Sequence, residues 1–146
     1  KGEVETFVRE RGLSNCLVAP VQPRERLGEL LSAADVHLVT LKEASLGCMV
    51  PSKFYGIIGA SRPVLYVGPP SSEVGRSVEE TGCGFSVGLG ESAALAERIR
   101  MMASDRRVGV ECGERGLKAL RERFSRSICC ERWRTLLERV VAGSAA

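Results

Sequence analysis

The 146-residue chain holds a single histidine, His37, and none of its six cysteines forms a C-x-x-C pair. A zinc site needs four nitrogen or sulfur ligands at characteristic spacings, so the sequence excludes one. Long apolar runs are also absent, and nothing approaches the roughly 20 residues that cross a bilayer. No secretory signal opens the chain, which starts with Lys1 rather than Met, inside a helical pattern. That start fits a fragment or a cut domain. The chain lacks a G-x-G-x-x-G fingerprint, a Walker A loop and a G-x-S-x-G elbow. Gly82-Cys83-Gly84 does not qualify, because a strand pattern follows it and not a helix. Charge of one sign is scarce: the net charge of +3 is too small for a nucleic-acid binder.

What is present is ordinary globular material, with 44% hydrophobic and 27% charged residues. A chain of this size is one domain and buries roughly 70% of its unfolded surface. Cys16, Cys48, Cys83, Cys112, Cys129 and Cys130 read as reduced, mostly buried thiols of a cytoplasmic protein. The basic excess is uneven. Arg115, Lys118, Arg121, Arg123, Arg126, Arg132, Arg134 and Arg139 face only Glu114, Glu122, Glu131 and Glu138. That stretch is either the solvated face of two helices or a face for anionic lipid headgroups, peripheral to the inner side of the plasma membrane.

Periodicity predicts alternating helices and strands. Helices are expected at 3–11, from Pro23 onward with Leu27, Leu30 and Leu31 on one face, at 51–61, 72–80, 91–103 and 105–123, and from Ser125 on. The last carries Ile128, Trp133, Leu136, Leu137 and Val140 as its apolar stripe, so Trp133 is expected in a core or an interface. Four strands are expected, at 15–19, 35–41, 63–67 and 85–87. The order predicts an α/β fold, a parallel sheet flanked by helices. Ligands of such sheets bind at the carboxyl ends of strands, here after Ala19, Leu41, Val67 and Val87. Residues 143–146 read as a frayed tail.

The loop from Leu41 into the helix at Pro51 carries the most chemistry. Pro51 suits a first helical position, and Ser52, Lys53 and Phe54 then offer free backbone N–H groups. Lys53 adds a full positive charge, and no acidic residue fills the first turn. Such an end suits a diphosphate. Water or a neighbouring side chain would satisfy it equally well, and spacing alone does not choose. Gly56 and Gly59 inside the helix each cost about 1 kcal/mol relative to alanine, which implies close approach to the sheet or room for a nucleotide. Glu73, at another strand-to-helix junction, is either a helix cap or an acceptor for ribose or sugar hydroxyls. His37 is expected as a hydrogen-bonded core histidine.

The order of motifs resembles group 1 glycosyltransferases of the family 4 type. Gln22-Pro23-Arg24-Glu25-Arg26-Leu27 followed by Leu30-Leu31-Ser32-Ala33-Ala34-Asp35-Val36 is similar to one family run. The stretch Val50-Pro51-Ser52-Lys53-Phe54-Tyr55-Gly56 through Arg62-Pro63-Val64 resembles the P-S-K segment. Ser72-Glu73-Val74, Gly82-Cys83-Gly84-Phe85, Gly90-Glu91, Phe124-Ser125-Arg126 and Trp133 continue the likeness in order. The nearest subgroup builds capsule, O-antigen or colanic-acid-type polysaccharides.

The resemblance implies a Rossmann-like donor domain, the C-terminal half of a GT-B fold, over residues 1–142. It implies a hexosyl- or glycosyltransferase using a nucleoside diphosphate sugar, with no metal and no cofactor beyond that donor substrate. Pro20 and Val21 would face the base, Ser52 and Lys53 would hold the diphosphate, and Glu73 would lie near ribose or sugar. Lys42 and Gly47 would line the transferred sugar, with Tyr55 beside the donor. Catalytic residues are left unassigned. Glycosyl transfer, with retention, would go to a glycan or lipid-linked acceptor held by another domain. A sugar-nucleotide epimerase half or a non-catalytic α/β binding module are the alternatives. Three departures stand out. Cys48 and Gly56 replace a family pair of glutamates, Ser61 stands where glycine is usual, and the first strand and acceptor domain would precede Lys1. The resulting open sheet edge predicts poor stability or self-association, and the chain alone would be inactive.

Overall fold

The computed structural model describes residues 2–143. Lys1 and residues 144–146 lie outside them, so most of the expected tail is not described; Gly143 itself closes the last helix. Three parallel strands form one sheet in the order β1 (His37–Thr40), β2 (Val64–Val67), β3 (Gly84–Val87). The register pairs Val39 with Tyr66 and Ser86, and Leu38 with Leu65 and Phe85. Side chains alternate across a strand, so these two sets point to opposite faces.

One face is closed by α3 (Lys53–Gly59), α4 (Glu73–Thr81) and α6 (Arg106–Ala119). The core lies there, with Val39, Leu41, Phe54, Ile57, Ile58, Val64, Tyr66, Val74, Val78 and Cys83 all buried. The other face is covered by α5 (Ser92–Ser104), whose Met102 is buried with Leu65 and Val87. That cover does not reach β1, where Leu38 is 48% exposed. The α/β sheet with flanking helices is thus as the alternation predicts.

The fourth expected strand does not form. Residues 15–19 are irregular, and Leu17 is almost fully exposed. A strand is held by a neighbour's hydrogen bonds, and none of the described strands lies beside this segment. The helix α1 (Gly2–Glu10) likewise buries nothing; Val4 and Phe7 stay open. A 3₁₀ turn at Arg24–Arg26 leads into α2 (Leu27–Ala33), which leans Leu31 on the core while Leu27 and Leu30 remain exposed.

Several helix details follow from local chemistry. Ser72 caps α4 by accepting the Gly75 N–H at 3.0 Å, and Gly82 ends it in the left-handed region. Asp105 caps α6 through the Arg107 N–H. A π turn, Leu120–Phe124, separates α6 from α7 (Arg126–Gly143). The stripe of α7 is not core: Trp133 is 64% exposed, and Leu136, Leu137, Val140 and Val141 are open too. Nor are the thiols mostly buried. Cys83 and Cys112 are, while Cys16, Cys48 and Cys130 are exposed and Cys129 lies between; all six are free.

Candidate functional site

The carboxyl ends of β1 and β2 open into two loops, and each loop feeds a helix that returns over the core face. After β1 the chain leaves through Leu41 and Lys42, makes a 3₁₀ turn at Glu43–Ser45, and passes Gly47 at φ 78° before reaching α3. After β2 it passes Gly68-Pro69-Pro70 into α4. The loops touch: a Cβ on Gly68 would stand 2.8 Å from the Leu41 carbonyl oxygen and 2.5 Å from the Tyr66 hydroxyl. Any side chain at 68 would push them apart.

Residue 51 does not start α3. Its first helical residue is Lys53, with Ser52 as a cap of helical backbone that makes no side-chain cap bond. The Phe54 N–H is not free, since it donates to the Pro51 carbonyl at 3.1 Å, and Tyr55 N–H donates to Ser52 at 3.2 Å. Proline at 51 cannot donate but still accepts, so the first turn tightens around its carbonyl. The N–H groups of Ser52 and Lys53 have no backbone acceptor among the described residues. Both side chains are exposed.

Tyr55 is half-buried, edge-on to Phe54 at 5.2 Å and to Phe124 at 5.5 Å between ring centres. Burial raises its pKa above the usual 10.0, and the Glu73 carboxylate and Cys129 add to the rise. Glu73 is not the α4 cap, a task Ser72 performs; its Oε2 accepts from Arg76 Nη2 at 3.0 Å. Arg76 Nη1 also donates to the Ser71 carbonyl at 2.5 Å, so one guanidinium ties the carboxylate to the loop.

Lys42, Gly47, Ser52, Lys53, Tyr55 and Glu73 thus belong to the two strand-end loops and the helix starts they feed. Pro20 and Val21 belong to the irregular run before α2; Val21 is 90% exposed, and the Pro20 carbonyl accepts from Gln22 Nε2 at 3.2 Å. Gly56 and Gly59 meet protein: a Cβ at 56 would lie 3.1 Å from Leu31 Cδ1, and one at 59 would lie 3.2 Å from Leu120 Cδ2. Helix packing accounts for both. His37 Nε2 is 2.8 Å from the Leu31 carbonyl, so the expected hydrogen bond forms, but the ring is only half-buried at the sheet edge and not in the core. Among the described residues no group of three His, Cys, Asp or Glu side chains could hold a metal, and no helix is long and apolar enough to cross a membrane.

Tyr66 and Arg76 were not legible as part of this region. Tyr66 reads as one more apolar strand residue, and only the glycine two residues on and the serine six residues on hint at a buried hydroxyl. A shallow concavity of the surface lies elsewhere, along α7 between Arg134, Leu137, Glu138, Val141 and Ala142.

No protein-family model matches the chain. Over 69 residues, 47% of its length, it is 42% identical to the probable glycosyltransferase WbjE of Pseudomonas aeruginosa. Over 79 residues, 54% of its length, it is 29% identical to the putative colanic acid biosynthesis glycosyl transferase WcaI of Escherichia coli. These matches span 17% and 19% of those relatives, so the matched segments are under a fifth of either. Its fold matches part of the sucrose-phosphate synthase of Thermosynechococcus elongatus, with a TM-score of 0.76 at 19% identity, covering 96% of this chain and 34% of that one.

Proposed function

We propose that this chain, similar in sequence to bacterial glycosyltransferases and in fold to part of a GT-B enzyme, is the donor-binding half of a glycosyltransferase. It would bind a nucleoside diphosphate sugar for transfer to a glycan or lipid-linked acceptor in cell-surface polysaccharide synthesis. The acceptor would be held by a further domain. The observation that carries the reading is the juxtaposition at the carboxyl ends of β1 and β2. The loops after Leu41 and Val67 meet where a Cβ on Gly68 would stand 2.8 Å from the Leu41 carbonyl oxygen, and the N–H groups of Ser52 and Lys53 lack a backbone acceptor among the described residues.

The chemistry follows from those groups. Lys53 and two backbone N–H donors suit the diphosphate, both in the bound sugar nucleotide and as negative charge builds on the leaving group. Lys42 and Gly47 would border the transferred sugar. Glu73 accepts hydrogen bonds, and a ribose or sugar hydroxyl would compete with Arg76 for it. Pro20 and Val21 would reach the base only if the irregular run before α2 folds over the site. No metal or cofactor enters this scheme. The location would be the cytoplasm, with the basic residues of 114–139 available to anionic headgroups at the inner membrane face. The open β1 edge would favour self-association.

Titration of the chain with UDP, GDP, ADP and TDP, with and without sugars, tests the reading. At a hundredfold excess over Kd a ligand adds about 2.7 kcal/mol, raising Tm by roughly 5–10 °C. Lys53→Ala should reduce that shift. If no compound moves Tm, the donor reading fails. A rise that survives Lys53→Ala unchanged would favour a binding module without a phosphate cradle.

A further inference from the structure

Tyr66 is fully buried, yet its hydroxyl does not end in apolar surroundings. The ring reaches under Gly68 toward the mouth of the sheet. There the oxygen lies 2.6 Å from Ser72 Oγ and donates to the Pro69 carbonyl at 3.3 Å. Ser72, also buried, accepts the Gly75 N–H. One arrangement of protons satisfies the set: Ser72 donates to Tyr66, Tyr66 donates to Pro69, and Gly75 donates to Ser72. The Pro69 carbonyl also accepts the Ser72 N–H at 3.0 Å, which closes the turn.

A serine cap needs none of this to start a helix. The extra contacts fix the loop. A Cβ on Gly75 would meet the carbonyl oxygens of Pro70 at 2.5 Å and Pro69 at 2.9 Å, so the first turn of α4 rests directly on the turn below it. Gly68 lies against the Leu41 carbonyl. The loop also presents the Ser71 carbonyl and Glu73, the two groups that Arg76 grips.

We propose that the buried hydroxyl pair of Tyr66 and Ser72 consists of positioning residues for the donor site, holding the loop of residues 68–73 in register with the Lys42 loop. This rests on the donor-site reading above. Neither side chain touches the ligand; each acts through the Pro69 carbonyl, the α4 cap and thence Glu73.

Two readouts on the intact chain test the role. Amide exchange follows loop order without ligand, and calorimetric titration with UDP, GDP, ADP and TDP follows the site. Tyr66→Phe should speed exchange of the Gly75 and Ser72 amides about tenfold while leaving α6 amides protected. It should weaken nucleoside diphosphate binding about five- to tenfold in protein that stays folded. Ser72→Ala should do the same, and the double variant should cost no more than either single change, as expected of groups acting as one unit. Ser77→Ala, a buried serine on the same helix outside the set, should leave affinity unchanged. If loop exchange in Tyr66→Phe matches the unaltered chain, or if exchange rises while affinity holds, the positioning role is refuted. If the two single effects simply add, the pair does not work as a unit and the proposal fails. If the unaltered chain binds no nucleoside diphosphate, the donor reading has failed and the role falls with it. Binding by the unaltered chain matched by both variants defeats the positioning role alone.

Discussion

Gly113→Ala and Gly109→Ala should move stability in opposite directions, though both lie in α6 one turn apart. Helix propensity alone favours alanine at either site by about 1 kcal/mol. At Gly109 the new Cβ would meet only Pro63 Cγ, at 3.6 Å, an ordinary contact. The gain should be kept, at about 0.5–1 kcal/mol. At Gly113 the new Cβ would overlap the Ser61 carbonyl, lie 2.7 Å from its carbon and stand 3.3 Å from Arg62 N. That backbone cannot easily yield. Ser61 N–H is bonded to Ile58, Arg62 N–H to Ile57, and Val64 N–H to Cys83. The helix would have to lift instead, loosening Gly116 from Ile58 and Cys83, which a Cβ there would already meet at 3.0 and 3.1 Å. Overpacking of this kind costs about 3 kcal/mol where backbone meets backbone. Net destabilisation should be about 2 kcal/mol, placing the two variants roughly 3 kcal/mol and 6–12 °C apart. Urea denaturation followed by far-UV circular dichroism, with unchanged slope, measures the gap. A Gly113→Ala chain as stable as the original would refute the close approach of α6 to the Ser61 carbonyl, and with it the account of the core face.

Ser61→Gly should stabilise by about 0.5–1 kcal/mol, because Ser61 sits at φ 55°, where a Cβ costs roughly 1–2 kcal/mol and glycine's looser unfolded state returns part of it; thermal melting decides, and a loss of stability would show that the serine hydroxyl matters more than the strain. In native buffer a thiol reagent should label Cys16, Cys48 and Cys130 at once, and Cys83 and Cys112 only with unfolding; prompt labelling at 83 or 112 would contradict their burial. Stability should fall as pH rises above about 9, because burial, ahead of its neighbours' charges, lifts the Cys83 thiol above its ordinary 9.0. The unfolded chain then ionises first, so stability is complete below 9.0 and is lost as pH climbs toward the folded value. Tyr55 adds a second loss above 10.0 by the same sign, and Tyr55→Phe should flatten that upper limb; an upper limb unaltered by the change would sever the link to burial.

Much of the architecture was legible in the amino-acid order. The 35–41 run, Pro63 through Val67, and the helix start at Asp105 each act through neighbours a few positions away. Short-range physics sets a helix cap or a buried strand wherever the chain is placed. The α/β alternation, and hence a parallel sheet whose strands end in loops after Leu41 and Val67, followed from that. So did the resemblance, which depends on motif order and not on contacts.

The tertiary structure decided what depends on a distant partner. Residues 15–19 have the composition of a strand but no ladder to join, so they stay irregular. The stripe on α7 has helical spacing, yet nothing among the described residues covers Trp133. Gly56 and Gly59 turned out to face Leu31 and Leu120, residues 25 and 61 positions away. The Tyr66 hydroxyl found Ser72 and Pro69 only because β2 delivers it beneath the loop it leaves by. Periodicity says that a side chain will be buried. What it will be buried against is a property of packing, and polar groups such as this pair take their role from that packing.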